Sequence, residues 1–561
     1  MTGSAAKAGS RFALKRPGSA GKLMLGGSFV TTPPLPMADE TDVAAEGLRR
    51  RSLLQLLTVG GAALAAPGLW SSLAQAQAPV AGGTLTIGAD ADPIGLDPVT
   101  VNAFSSYDFT SLLYTGLLRW NAQMKVEPDL AVGFEQPDPK TYVFKLRQGV
   151  KFHNGKDFSA ADVKHTFDRI MNPATGSRLK ALYSSVESVT VVDPFTVKFQ
   201  LNATDAAFLS NLASNPNGAI VPVGVENLVT QPVGTGPFAF EAYQPNQQFS
   251  LTRFDGYYEK GEPYLAKVVF KFYKDQATLT SALRSRAIDM TWVKDPKVAT
   301  AIARASQSFV SAPGQTSRTF PIWLNMKAKP LNDVKVRRAL SLATDRKACL
   351  DTVLGGAGKV GAMIPESQVG GYDGASELPY YKHDPAAAKA LLAEAGYPNG
   401  IDLGDYIVVA ANPLDVACAQ ILQQQWQAAG ITVKLVPMET APLLAKWASG
   451  DWPTLLSVAL SWTPDPDGIF QYITSTSGYG KAMGSNDPEL DRMIAEARSE
   501  LDVPKRAAKN QAIQKLIAEN AYVIQIYQYP LRWEIWWNYV QGYVPLAANI
   551  RSFVRTTWLK K

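Results

Sequence analysis

Side chains able to do chemistry are sparse in this chain and do not cluster along it. The three histidines, His153, His165 and His383, stand singly. None shows the H-E-x-x-H spacing that sets two imidazoles on one helix face around a metal, so no metal site is expected from them. The stretch VLGGAGKVGA (353–362) has the glycines and lysine of a phosphate-cradling loop. It fails as one, because Val353 stands where the first glycine is required and Val360 where a hydroxyl must reach magnesium. It reads as a turn after a helix. No G-x-S-x-G nucleophile elbow occurs. Cys349 and Cys418 each sit in a helical pattern among apolar neighbours and read as buried thiols, with a single bridge as the alternative in an oxidising compartment. Paired carboxylates stay open, since any two can meet in space. What recurs is glycine, proline and aromatic residues without catalytic groups, which suits an apolar pocket with a few placed polar atoms. The expectation is a binding protein that is not an enzyme and has no cofactor.

Arg49, Arg50 and Arg51 precede a weakly apolar stretch, 52–70, and then the small-residue sites Ala74-Gln75-Ala76 and Ala76-Gln77-Ala78. This is the layout of a cleavable export signal. Gln55, Thr58, Gly60, Gly61, Pro67 and Gly68 make the stretch too polar for a spanning helix, which needs about 20 strongly apolar residues. The order Arg50-Arg51-Ser52-Leu53-Leu54 resembles a twin-arginine signal. Residues 1–36 are rich in Gly, Ser, Ala, Pro and Lys and are expected to be disordered; Met37 offers an alternative start, giving a signal over 37–78. Eight of the 55 basic and four of the 49 acidic residues fall in 1–78, which leaves 47 and 45, a net charge of +2. That near-balance argues against a nucleic-acid partner. A mature chain of this length exceeds one hydrophobic core, so two or three domains are expected.

The elements that must position a site alternate along the chain. GTLTIGA (83–89) has period two and reads as a strand. SVTVVDPFTVKFQL (188–201) reads as two strands about Asp193-Pro194, and 236–254 as another hairpin. In FSAADVKHTF, Ser159 is the predicted N-cap with Asp162 at N3, flanked by Phe158 and Val163 as a hydrophobic staple. Strand 267–273 feeds a helix over 276–290. The second half is more helical, with predicted helices over 333–354, 384–397, 415–430, 488–500 and 503–521, and strands over 431–438, 454–462 and 522–529. This alternation predicts α/β layers.

Several blocks resemble the extracytoplasmic solute-binding proteins of ABC importers, specifically the dipeptide, oligopeptide and nickel-binding family, family 5. They are LLYTGLLRW (112–120), PDLAVGFEQPDPKTYVFKLRQGVKFHNGKDFSAADVKHTFDRI (128–170), PVGTGPFAFEAY (232–243), LNMKAKPLNDVKVRRALSLATDR (324–346) and DPAAAKALLAEAGYPNG (384–400). The resemblance covers nearly all of 80–545. It implies an α/β, two-lobed periplasmic-binding-protein fold of type II with an extra domain inserted in lobe I. Lobe I would comprise 79–122, 233–330 and 522–561, the insertion 123–232 and lobe II 331–521. The implied function is a periplasmic receptor that captures peptides between the lobes and delivers them to an ABC-importer permease, acting as a monomer. The alternatives are a binder of another small solute (an opine, an oligosaccharide or a metal chelate), a chemoreceptor-serving binder, or a secreted hydrolase.

Residue by residue, the resemblance implies that the W-x-x-D segment Trp462-Thr463-Pro464-Asp465 meets the ligand, with Asp465 on a peptide α-ammonium and Asp467 in the adjoining DPD element. The competing reading is that these aspartates and prolines only shape a turn. Trp323 and Asn325 in FPIWLNM (320–326) would stack on and hydrogen-bond the ligand, or else belong to a buried strand. Tyr107 in 103–114 would line the cleft from lobe I. The aromatic run RWEIWWNYVQGY (532–543) reads chiefly as packing.

Overall fold

The computed structural model describes residues 78–561 except 102–103, 315, 373–374, 462–464, 531, 547–551 and 561; the leader therefore lies outside the described residues. Two mixed sheets organise the chain. In the first, the strands run in the order Phe309–Pro313, Trp533–Trp537, Met290–Val293, Thr84–Ala89, Lys267–Phe272, Gln248–Arg253 and Phe238–Gln244. Thr84–Ala89 lies parallel to Lys267–Phe272 in the register Thr84↔Lys267 to Ala89↔Phe272, and parallel to Met290–Val293 on its other side. A Cβ at Gly88 would come within 2.5 Å of Ile288 Cδ1 and Leu279 Cδ1, so a larger residue would push those side chains aside. The bare backbone of Gly88 lets helix Gln276–Arg284 press onto the strand.

The second sheet runs Lys359–Val360, Val523–Pro530, Thr316–Leu324, Leu455–Ser457, Ile401–Val409 and Ile431–Met438, with Leu460–Ser461 also paired to Thr316–Leu324. Helix Pro413–Ala428, capped by the Asn412 side chain with Pro413 in its first turn, crosses between the parallel strands Ile401–Val409 and Ile431–Met438. The helix predicted over 333–354 is two helices, Val334–Leu342 and Arg346–Leu354. The apolar period continues through the break, but Asp345 caps the second helix with a bond from the Ala348 N–H and so ends the first. The strand predicted over 454–462 is likewise split, into Leu455–Ser457 and Leu460–Ser461.

The chain passes between the sheets at two points that run antiparallel and touch. Pro313 pairs with Trp533 in the first sheet and Thr316 with Pro530 in the second, and between them the Gly314 N–H donates to the Arg532 carbonyl at 3.1 Å. The passages therefore fall between Pro313 and Thr316 and between Pro530 and Trp533. The strands Thr316–Leu324 and Val523–Pro530 pair with the second sheet, which carries those stretches across with them.

Alternation of side chains along the strands separates two faces. On one face Val293, Trp533 and Ile535 of the first sheet and Phe320, Ile322, Tyr406 and Leu455 of the second share one apolar cluster. On the other, Trp292 and Trp536 join a first cluster while Trp323, Ile407 and Leu456 join a separate one. The two bodies are thus fused behind the passages and distinct in front of them. The four-stranded antiparallel sheet of Ala131–Asp138, Thr141–Leu146, Thr196–Leu201 and Val186–Asp193 belongs with the first body, since Phe144, Phe167 and Phe199 share its apolar cluster. Helix Ala160–Met171 packs there. Its start is held by the Ser159 N–H donating to Asp162 Oδ2 at 2.9 Å, the reciprocal half of a capping box. Both cysteines are buried free thiols, and among the described residues no helix is long and apolar enough to cross a membrane.

His153 ties the insertion to the first body. Its Nδ1 accepts the Gly234 N–H at 3.3 Å, so Nε2 is the donor to the Gly236 carbonyl at 3.0 Å, and the ring stands edge-on to Phe254. Burial holds the imidazole down at about 4 from its usual 6.5, partly offset by the bond to Gly236. The unfolded chain therefore binds this proton between pH 6.5 and 4 while the folded chain does not, and stability falls as pH drops through that window. Wild type is expected to lose about 2 kcal/mol between pH 7 and pH 5 relative to His153→Gln. Urea unfolding of both proteins at the two pH values checks this; parallel losses would exclude His153 as the cause.

Candidate ligand-binding cleft

In open α/β sheets a ligand binds outside the carboxyl ends of parallel strands. Here those ends face the passages from both sides. Val293 closes Met290–Val293 beside Trp533, and the second sheet turns out of Leu460–Ser461 beside Arg318 and Thr319. The candidate site is the front space between the bodies, with the two passages as its floor.

One wall is helix Phe104–Leu113. Arg532, in the second passage, holds it with Nη2 and Nη1 on Asp108 Oδ1 and Oδ2 at 2.7 and 3.0 Å. The same guanidinium reaches Glu534 at 2.8 Å through Nε and lies 4.5 Å over the Trp292 ring. One buried cation thus matches two buried carboxylates and covers an aromatic face. Its role was not read from the sequence, where 532–543 looked chiefly like packing. The available signal was an arginine inside an otherwise apolar strand, which must carry a partner. Tyr107, one residue before Asp108, is buried on the same wall. Arg178 Nη2 donates to its hydroxyl at 2.5 Å and to Asn217 Oδ1 at 2.9 Å, with the guanidinium 5.5 Å from the Tyr107 ring centre.

The opposite wall carries the loop after Leu460–Ser461. Trp462 lies outside the described residues. Asp465 is 3% exposed and is gripped bidentately by Arg506, with Nη2 to Oδ1 at 2.7 Å and Nη1 to Oδ2 at 2.8 Å; Oδ1 also accepts the Asp467 N–H at 3.0 Å. Asp465 thus has a cation within the protein, supplied by helix Val503–Glu519 from 41 residues away. Asp467 begins the short helix Asp467–Phe470 and pairs with Arg498. Its burial holds it above the usual carboxylate range while Arg498 opposes that rise. Asp205, from the first body, is raised by burial too, and next by the charges of Asp467 and Asp465 once the bond from Ser185 is set against them.

Trp323 and Asn325 are placed elsewhere. Trp323 is fully buried, 4.9 Å from the Trp447 ring and 5.8 Å from Tyr472, with its indole N–H on the Val458 carbonyl. Asn325 follows the end of Thr316–Leu324 farthest from the passages, and its amide donates to the Trp452 carbonyl at 2.6 Å while its oxygen accepts the Lys327 N–H. Both are core residues of the second body. The strand runs away from the passages and carries both residues into that core.

The sequence matches the bacterial extracellular solute-binding proteins, family 5, over residues 125–481. The chain belongs to that family. Heme-binding protein A of Haemophilus influenzae is 28% identical over 502 residues, 83% of this chain and 88% of that protein. The dipeptide-binding protein of Escherichia coli is 29% identical over 485 residues, 78% of this chain and 88% of its own length. Among solved structures, the substrate-binding protein CtaP of Listeria monocytogenes superposes with a TM-score of 0.76 at 25% identity, covering 86% of this chain and all of that one. AgaA from A. tumefacien R10, in complex with agropinic acid, gives 0.72 at 27% identity over 85% of this chain and 99% of its own. The fold of this chain is that of the periplasmic binding proteins.

Proposed function

We propose that the protein is a periplasmic receptor that captures di- or oligopeptides between its two bodies and delivers them to an ABC-importer permease. The observation that carries this reading is the pair of touching antiparallel passages, which leaves the bodies joined behind and separate in front. Relatives that match along most of the chain and are named for dipeptides and di/tripeptides support the ligand class. A peptide offers backbone donors and acceptors that a closing cleft can satisfy while water fills around variable side chains. In this reading Tyr107 and the loop bearing Trp462, Asp465 and Asp467 border the ligand, with Asp465 acting through its hold on the loop. Export uses a twin-arginine signal over 37–78, cleaved after Ala76 or Ala78; this rests on Arg50-Arg51-Ser52-Leu53-Leu54 before a weak apolar stretch. Lobe I comprises the first sheet with the insertion and lobe II the second.

Mass spectrometry of the solute that co-purifies with the mature protein tests the reading. Peptides of two to several residues, displaced by added dialanine or trialanine, are the expected result. A retained opine, haem or metal chelate, with no calorimetric response to small peptides, would move the ligand class to the non-peptide alternative that the AgaA likeness represents.

A further inference from the structure

We infer that the turn at Asp205–Ala206 is a latch that helices of the second body grip only when the cleft is closed, so that the closed fraction, and with it the affinity for any ligand, is set partly by a contact between the two bodies themselves. This goes beyond the receptor reading and does not depend on which solute is bound.

The turn lies between strand Thr196–Leu201 and helix Phe208–Ala213, whose Phe208 and Leu212 belong to the apolar cluster of the first body. Its partners sit on helices Pro488–Arg498 and Val503–Glu519, whose Ile494, Ala497, Ile513 and Ile517 belong to the separate cluster of the second. Two bonds span the gap. The Ala206 N–H donates to the Arg498 carbonyl at 2.9 Å, and the Ala206 carbonyl accepts Arg506 Nη1 at 3.3 Å. The Arg498 carbonyl is one of the last in its helix, which has no partner within the helix for it, so the first body caps the second. Everything else in the grip is preassembled on one side or the other. Asp465 holds Arg506 and Asp467 holds Arg498 within the second body. In the first, the Asp205 carboxylate is tied back by Ser185 Oγ at 2.5 Å and the Ala207 N–H at 3.0 Å, which fixes the turn. Opening at this turn therefore breaks the two Ala206 bonds and leaves both ion pairs whole. A contact made in one state alone biases the equilibrium by its full worth, and apparent affinity scales with the fraction of competent protein.

The test reads closure without a ligand. Val192 is exposed on the first body and Leu444 on the second, and both native cysteines are buried, so Val192→Cys with Leu444→Cys accepts a dye pair selectively. Single-molecule energy transfer on protein stripped of solute by unfolding and refolding gives the closed-to-open ratio. Ala206→Pro removes the donated N–H, and Ala206→Trp wedges the contact apart while leaving both apolar clusters intact. Each is expected to lower the ratio about 3- to 30-fold, the worth of one to two hydrogen bonds, with unchanged thermal unfolding of the ligand-free protein. Dialanine, as a second arm, is expected to dissociate faster from both variants by the same factor. A ratio equal to wild type in both variants overturns the latch, whether or not dialanine binds. A dialanine arm that fails while the ratio falls counts against the peptide reading alone.

Discussion

Arg532→Ala is expected to cost about 3–5 kcal/mol of folding stability, the typical result of removing one partner from a buried, hydrogen-bonded ion pair. The substitution takes the guanidinium away from two buried carboxylates. Asp108, 2% exposed, loses both of its arginine bonds, and Glu534, 3% exposed, loses its Nε contact. It also uncovers the Trp292 face. Arg532→Lys is expected to recover little, because an ammonium cannot reproduce the two-pronged geometry on Asp108 or lie flat on the indole. The double variant Arg532→Leu with Asp108→Leu removes one charge of each sign and should lie nearer wild type than Arg532→Ala, leaving Glu534 as the remaining cost. Urea unfolding of the set measures this. A loss below about 1 kcal/mol for Arg532→Ala would mean that solvent reaches the stranded carboxylates. Because Arg532 also joins helix Phe104–Leu113 to a passage between the bodies, the weakened variant is expected to show faster amide exchange in that helix than elsewhere in the first sheet.

The sequence revealed what is local. The helix start at Ser159, the turn at Asp193-Pro194 and the strands Thr84–Ala89 and Ile431–Met438 each follow from a cap, a turn dipeptide or a simple period, and they stand where those signals put them. Breaks that ignore the apolar period were not legible. Asp345 ends one helix by capping the next, although the apolar residues run straight through it. The cleft was less legible still. Asp465 was visible as a loop aspartate beyond a buried strand, but its partner Arg506 lies on a helix whose sequence shows only that an arginine is present. Ala206 carries no side-chain signal at all, since both of its contacts are made by backbone atoms. The surroundings of Trp323 and Asn325 were not legible either: the strand Thr316–Leu324 enters the second body at Thr316 and carries both into its core.

Breaking the Asp465–Arg506 pair should have an effect as large, and it also decides what Asp465 does for the ligand. Both residues are 5% exposed or less, and the pair is bidentate. Arg506→Ala leaves a buried carboxylate and Asp465→Ala a buried guanidinium, so each is expected to lose about 3–5 kcal/mol of stability. Paired apolar replacement, Asp465→Leu with Arg506→Leu, should lose less than the sum of the single changes, and the shortfall measures the coupling. For ligand binding, the pair makes a specific claim. A carboxylate already neutralised by an internal guanidinium has little charge left to offer an ammonium. Asp465→Asn, the mildest change, should therefore weaken dialanine and N-acetyl-dialanine by the same factor, because it loosens the loop 462–467 and the Arg506 side of the cleft and removes no contact peculiar to the free amine. A direct ion pair to the ligand would behave otherwise. Truncating one partner of a desolvated pair costs about 2–5 kcal/mol, which at about 1.4 kcal/mol per tenfold would penalise dialanine by roughly 30-fold or more while sparing the acetylated form. Titration calorimetry on this two-by-two set separates the two. A selective loss for the free amine would return Asp465 to the ligand's ammonium and make Arg506 a partner that it shares.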